Sequence, residues 1–302
     1  MASEFKDGIA HVDGAFCPIH EARISLLDWG FLRSDACQDT VSVWEGAFFR
    51  LDDHLERFER SFSRLRMACP HDRRGLHEIA MEAVRLTGFR EAYLQLIMTR
   101  GRPPIGSRDL RLAENNFFLF CVPYISIATP EQQEHGLHLI VSDIQRIPPA
   151  SVDPTIKTYH WLDFEMGLFD AYDRGGDTVV LTDRDGHVTE GPGFNLFAVK
   201  DGNLITPDTG CLDGMTRDTV FELCAETNLD CRLAPIPASL LTNMDELFIS
   251  STAGGLMPIS KVDGQVIGEA TAGPVTERLR DLYWSKRRSG WHATPVGYRD
   301  AE

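Results

Sequence analysis

Two residues near the middle of the chain could do unusual chemistry. Lys157 stands in Asp-Pro-Thr-Ile-Lys-Thr-Tyr-His-Trp (153–161), and Glu190 opens a turn in Val-Thr-Glu-Gly-Pro-Gly-Phe-Asn (188–195). A lysine amine condenses with an aldehyde. A carboxylate can hold a proton on a ring nitrogen, so that the ring accepts electrons. A lysine taken at random is a solvated surface residue, and a glutamate before Gly-Pro-Gly can be an ordinary turn carboxylate. Two further stretches suit an anion. Gly214-Met215-Thr216 opens a helix, where free N–H groups and the helix dipole attract negative charge; Thr216 could equally serve as the helix cap. Ser251-Thr252-Ala253 sets hydroxyls and amides just after a strand.

Four segments, in order, carry a family resemblance: Phe-Arg-Leu-Asp-Asp-His-Leu-Glu-Arg-Phe (49–58), residues 188–195, Leu-Asp-Gly-Met-Thr-Arg (212–217) and Ser-Ser-Thr-Ala-Gly-Gly (250–255). With them the chain resembles, over nearly its whole length, the fold-type-IV pyridoxal-phosphate enzymes. These include branched-chain and D-amino-acid aminotransferases, (R)-selective amine transaminases and aminodeoxychorismate lyase. The stretch Glu-Ala-Arg-Ile-Ser-Leu-Leu-Asp-Trp-Gly-Phe (21–31) looks most like the (R)-amine branch.

The resemblance implies an α+β fold, with a small α/β domain followed by a larger pseudo-barrel domain. It implies pyridoxal 5'-phosphate held covalently by Lys157, with Glu190 on the pyridine nitrogen and Leu212 against the ring. Arg57, in the family's His-x-x-Arg pattern with His54, would bind phosphate, as would Met215, Thr216 and Thr252. Arginine suits that role because its planar fork donates two parallel hydrogen bonds. Read without the family, Arg57 is a surface arginine paired with Asp53.

Arg33, Gln38, Tyr93, Arg108, Trp161 and Ala253 are candidate substrate contacts. Related amine transaminases tend to carry histidine where Arg33 stands and tyrosine where Gln38 stands. Their loop arginine aligns with Gly106, two residues before Arg108. These departures lean towards substrates bearing a carboxylate. The implied reaction moves an amino group from an (R)-amine or amino acid to a keto acid such as pyruvate, in a homodimer whose sites lie at the subunit interface. Branched-chain or D-amino-acid transamination is the alternative. A lyase, or a metabolite-binding protein without turnover, is more remote, and intact Lys157 and Glu190 argue against the latter.

The elements that must position these residues are legible in outline. Ile9–Val12, Asp13-Gly14 and Phe16 read as a hairpin. A strand at 48–51 precedes a helix capped by Asp52 or Asp53, whose buried face is Leu55, Phe58, Phe62 and Leu65. A second helix spans 72–87 and stops at Gly88. Strands follow at 92–99 and 117–122, with a long polar loop between them, then a candidate linker rich in polar residues. Beyond it come a strand at 137–144, a helix with the apolar stripe Leu162, Met166, Phe169 and Tyr172, a strand at 178–181 and a hairpin over 194–206. A helix over 216–227, a strand at 246–250 and a helix over 273–288 complete the pattern. Without a regular βαβ rhythm this is α+β. The expected domains are 1–123 and 136–302, joined by a linker over 124–135.

The chain has 302 residues and a formal net charge of −15, which disfavours a nucleic-acid partner. Seven cysteines without Cys-x-x-Cys argue against a disulfide framework or structural zinc. No apolar run approaches membrane-spanning length and the N-terminus shows no signal region. A cytoplasmic enzyme with no metal is the expectation.

Overall fold

A computed structural model describes residues 5–298, which form two compact units. The first holds residues 5–125, 156–160 and 290–298; the second holds 126–155 and 161–289.

The first unit is built on a seven-stranded antiparallel sheet. Its strands are β1 (Ile9–Val12), β2 (Ala15–Pro18), β3 (Ala36–Trp44), β4 (Ala47–Phe49), β5 (Ala92–Arg102) and β6 (Glu114–Pro123), plus the short strand Ala293–Pro295, which pairs with β4. β3 lies against β5 with Gln38 opposite Ile97 and Ser42 opposite Tyr93. Helices α1 (Trp29–Arg33), α2 (Leu51–Arg64) and α3 (Arg73–Thr87) complete it. α2 buries Leu55, Phe58 and Phe62 against Val41, Leu94 and Leu96 of the sheet, while Leu65 is only partly buried. A fully buried phenylalanine such as Phe58 contributes about 1.5–3 kcal/mol. α3 is capped by the Asp72 carboxylate on the Gly75 N–H and ends at left-handed Gly88. The expected cap of α2 is not Asp52 or Asp53. Arg50 occupies the N-cap in a left-handed conformation, and Asp53, in the first turn, accepts a hydrogen bond from Arg50 Nε at 2.6 Å.

The second unit carries an eight-stranded mixed sheet, in the order β11-β10-β9-β12-β13-β7-β8, with β14 beside β13. The strands are β7 (Leu137–Gln145), β8 (Thr178–Thr182), β9 (Asn195–Lys200), β10 (Asn203–Thr206), β11 (Cys231–Leu233), β12 (Glu246–Ser251), β13 (Gly255–Val262) and β14 (Gln265–Val266). Its helices are α4 (Pro130–His135), α5 (Leu162–Asp173), α6 (Met215–Thr227) and α7 (Pro274–Arg288). One face of the sheet buries Leu139, Leu196, Ala198, Leu247, Ile249 and Met257. The opposite face carries the stacked pair Phe197 and Phe248, 4.9 Å apart.

Three features add detail to the expected outline. Part of the expected linker is helix α4, closed by a capping box of Thr129 and Gln132. Residues 156–160 and 290–298 group with the first unit, so its boundary is not a single cut in the chain. The apolar stripe of α5 is solvent-exposed. Leu162, Met166, Phe169 and Tyr172 lie open, while Phe164, Gly167 and Ala171 turn to the core because Gly167 lets Leu181 and Val179 approach closely.

Candidate active site

In the first unit a buried ionic cluster surrounds Arg57. Its Nε and Nη2 donate to the two oxygens of Asp39 at 2.8 Å each, a fork-on-fork pair, and His54 Nδ1 lies 2.7 Å from Asp39 Oδ1. All three side chains are almost wholly buried. Burial alone would raise the Asp39 carboxyl, but the Arg57 guanidinium and His54 hold it well below the usual carboxylate range. His54 is lowered, chiefly by burial, with Arg57 and Lys157 adding to burial against the pull of Asp39. A neutral imidazole facing that carboxylate must carry its proton on Nδ1. The helical spacing of His54 and Arg57, i and i+3, aims both side chains at the same strand.

Lys157 sits beside the start of β3. Its carbonyl accepts the Gln38 N–H at 2.9 Å, Thr158 stands opposite Cys37, and the Lys157 N–H reaches Ser61 Oγ on α2 at 3.4 Å. Gln38 and Thr40 share a strand face. Thr40 Oγ1 donates to Gln38 Oε1 at 3.1 Å and lies 3.4 Å from the Tyr93 hydroxyl, so these three form one polar wall. Tyr159 extends it: burial, then Tyr93, raise its hydroxyl pKa. Arg33 ends helix α1. It stacks on Trp29 with 3.6 Å to the ring centroid and lines a cavity of about 250 Å³ with Ser34, Asp35, Ala36, Leu65, Thr158 and His160. Gln38 and Tyr93 are not among the walls of that cavity. Arg108 is exposed on the β5–β6 loop.

In the second unit Glu190 is buried and its carboxylate is gripped from two sides. Oε2 accepts the Leu212 N–H at 2.9 Å; Oε1 faces Arg146 Nη2 at 3.2 Å and Nε at 3.4 Å. Leu212 is held at its other end too, its carbonyl accepting Asn195 Nδ2 at 2.9 Å. Asn195 in turn explains Gly214, where a Cβ would sit 2.1 Å from Asn195 Oδ1. Gly214 is the N-cap of α6, which has no side-chain cap, so Thr216 is the second helical residue rather than its cap. Met215 and Thr216 are buried there. The hairpin between β12 and β13 is stitched to the Glu190 turn by Ser251 Oγ donating to Gly193 O at 2.8 Å, and Ser251 Oγ also accepts the Ala253 N–H at 3.1 Å. Thr252 follows Ser251 in that hairpin. Trp161 packs edge-on against Phe164, their centroids 5.6 Å apart.

The first unit therefore brings together Gln38 and Tyr93 through Thr40, and the second Glu190, Leu212, Met215 and Thr216; Arg33 lines a cavity beside the start of β3, and Arg108 is exposed on its loop. Three residues were missed: Asp39, Arg146 and Asn195. Asp39 is buried with Gln38, Thr40 and Ser42 in β3, a strand whose polar sequence does not announce that burial. Arg146, just before Pro148-Pro149, had almost no signal.

The donor set fits a phosphorylated pyridine. An uncapped helix N-terminus of 13 residues suits phosphate. A buried carboxylate already held by an N–H and a guanidinium suits a ring N–H. Ser250 Oγ, opposite Asn195 on the adjacent strand, is a buried hydroxyl without a hydrogen-bond partner among the described residues.

Comparison with known proteins agrees. Residues 36–262 match the family model described as amino-transferase class IV. The putative branched-chain-amino-acid aminotransferase of Methanocaldococcus jannaschii is 29% identical over 275 residues, covering 90% of this chain and 94% of that protein. The branched-chain-amino-acid aminotransferase of Pseudomonas aeruginosa is 28% identical, covering 94% of each. The T.th. branched-chain amino acid aminotransferase, solved with pyridoxamine 5'-phosphate, superposes with a TM-score of 0.89 at 29% identity, over 97% of this chain and 100% of that one. With the α+β architecture, the carboxylate and the open helix terminus in hand, the chain belongs to the amino-transferase class IV family and is a pyridoxal-phosphate-dependent aminotransferase.

Proposed function

We propose that the enzyme transfers the amino group of an amino acid with an apolar side chain, of the branched-chain type, to a keto acid. The relatives named above carry this reading, since both bear that activity in their names and span nearly the whole chain. A carboxylate-bearing substrate also accords with Gln38 and Arg33 standing where amine transaminases tend to carry tyrosine and histidine. The (R)-amine reading keeps one specific support, the resemblance of residues 21–31. A screen of full-length enzyme with L-leucine, L-valine, D-alanine and (R)-1-phenylethylamine, each against pyruvate and 2-oxoglutarate, separates them. Turnover with L-leucine well above the others is expected; turnover with the neutral amine alone would overturn the proposal.

When bound, pyridoxal phosphate supplies an aldehyde that takes up amino groups and a ring that accepts the electrons of a broken Cα–H bond. The chain's own residues do the rest. Lys157 would hold the group through its amine, and that amine would serve as the base and acid that moves a proton from and to the substrate carbon. Glu190 would keep the ring nitrogen protonated by charge pairing. Arg57 and the amides and hydroxyls at Met215, Thr216 and Thr252 would hold phosphate, and Leu212 would pack on the ring. Arg33, Gln38, Tyr93, Arg108, Trp161 and Ala253 contact substrate, with Arg33 or Arg108 taking its carboxylate. A homodimer is part of the reading. The exposed α5 stripe supports it, since four large apolar side chains on one helix face favour burial against a second copy. A cytoplasmic location is supported by seven free cysteines.

A further inference from the structure

Arg146 lies between two carboxylates. Its Nη1 donates to Asp163 Oδ2 at 2.7 Å, while Nη2 and Nε reach Glu190 Oε1 at the longer distances of 3.2 and 3.4 Å. Its guanidinium carbon lies over Phe164, 4.1 Å from the ring centroid. Asp163 is itself fixed: Oδ2 accepts the Ile147 N–H at 3.0 Å and Oδ1 the Phe164 N–H at 2.9 Å. Arg146 and both carboxylates are mostly buried, with side-chain exposures of 12% for Arg146 and 8% for each carboxylate. Two carboxylates and one guanidinium leave a net charge of about −1 on the triad, in surroundings that screen it poorly.

We infer that Asp163 and Arg146 are positioning residues for Glu190, and that Asp163 keeps Arg146 from neutralising it. The inference rests on the reading that Glu190 pairs with the ring nitrogen. The geometry divides Arg146 unequally. The shorter contact is to Asp163, so Arg146 orients Glu190 through its longer arm without consuming its charge. Remove the Asp163 charge and the guanidinium closes on Glu190. The triad then becomes neutral, and a protonated ring loses its counter-charge. Asp163 acts on the cofactor only through Arg146 and Glu190, and this sets it apart from a residue that merely caps α5.

A double-mutant cycle isolates that coupling. The full chain is titrated with pyridoxamine 5'-phosphate, which binds without a covalent bond, and the dissociation constant is read by fluorescence in wild type, Asp163→Asn, Glu190→Gln and the double variant. Asparagine is isosteric, and its one carbonyl oxygen accepts one of the two N–H bonds; the loss of the other is common to both backgrounds and cancels in the cycle. Asp163→Asn is expected to raise the dissociation constant by about tenfold when Glu190 is present and by less than about twofold when it is glutamine. Arg146→Lys keeps a charge but not the fork that spans two carboxylates, and is expected to fall between wild type and Asp163→Asn. Equal losses from Asp163→Asn in both backgrounds would overturn the clamp while leaving Glu190's role intact. A Glu190→Gln variant that binds as wild type would remove the reading of Glu190 itself, and the clamp with it.

Discussion

The two buried arginines make an instructive pair. Arg57, in the first unit, gives both arms of its fork to one carboxylate and has a neutral histidine beside it. Arg146, in the second, divides its fork between two carboxylates. The first cluster balances to about zero charge and the second to about −1. Burial makes either balance consequential, because the interior screens charge weakly. The residue types are similar, yet the first arrangement closes one arginine on one acid and the second spreads one arginine over two. The number of acids per arginine tells them apart, one at Arg57 and two at Arg146.

The largest expected effect comes from breaking the balanced cluster. Asp39→Ala leaves the Arg57 charge buried without its carboxylate, and should cost about 3–5 kcal/mol of stability. Chemical denaturation of the variant reads this directly. A loss within experimental error would mean that Arg57 finds water or another acid, and that the first cluster is not a closed pair.

Arg57→Ala probes the same cluster from the other side. It should weaken pyridoxamine 5'-phosphate binding by about 1.5–3 kcal/mol, the worth of a charge-assisted contact. It should also lower stability, since Asp39 is then the unpaired charge. Unchanged cofactor affinity alongside lowered stability would make Arg57 a structural residue and withdraw its phosphate role.

The pH dependence sharpens the contrast, because lowered pKa values in the first cluster act in one direction. The unfolded chain protonates His54 near its ordinary 6.5, whereas the folded chain resists that proton to lower pH. Stability therefore falls as pH drops below 6.5. Asp39 continues the fall. Its folded carboxyl is held below its ordinary 3.8, so the stabilisation it contributes above 3.8 is lost as the pH drops through the folded value. Denaturation midpoints between pH 8 and pH 4 should decline, and His54→Gln should flatten the upper part of the decline. A midpoint that stays flat from pH 7 to pH 5 in wild type would contradict the neutral, buried His54.

The smallest effect is expected at the surface. Arg74 and Glu78 pair at 2.8 Å on α3, with both side chains largely exposed. Such pairs are screened and entropically costly. Glu78→Ala should leave stability unchanged within error, and a clear loss would show that distance matters more than burial in this chain.

How far the sequence revealed these clusters depends on how local each signal is. Helices α2, α3, α6 and α7 and most strands follow from periodicity and from stops such as Gly88, because a turn of helix is decided by neighbours in the chain. Lys157, Glu190, Arg57 and the 212–217 and 250–255 segments stood out by motif. The start of α2 was misread because Arg50 takes a left-handed conformation that no nearby residue announces, while Asp52 and Asp53 look like caps. Asp39, Arg146 and Asp163 went unseen for a different reason. Their partners lie 15–44 positions away in the chain, and only folding brings an isolated acid or arginine to its counter-charge. The exposed face of α5 carries the same lesson: an amphipathic pattern tells that one face is apolar, not whether this chain alone covers it.

Everything assigned to the second cluster presupposes that a cofactor arrives on Lys157. The direct measurement is borohydride reduction of the purified, yellow holoenzyme, followed by peptide mapping of the label across the chain's five lysines, 6, 157, 200, 261 and 286. The account predicts a stoichiometric label on Lys157 alone, and a Lys157→Ala variant that takes no label and loses at least about a hundredfold in turnover. A label on one of the other four lysines, with Lys157→Ala fully active, would contradict it.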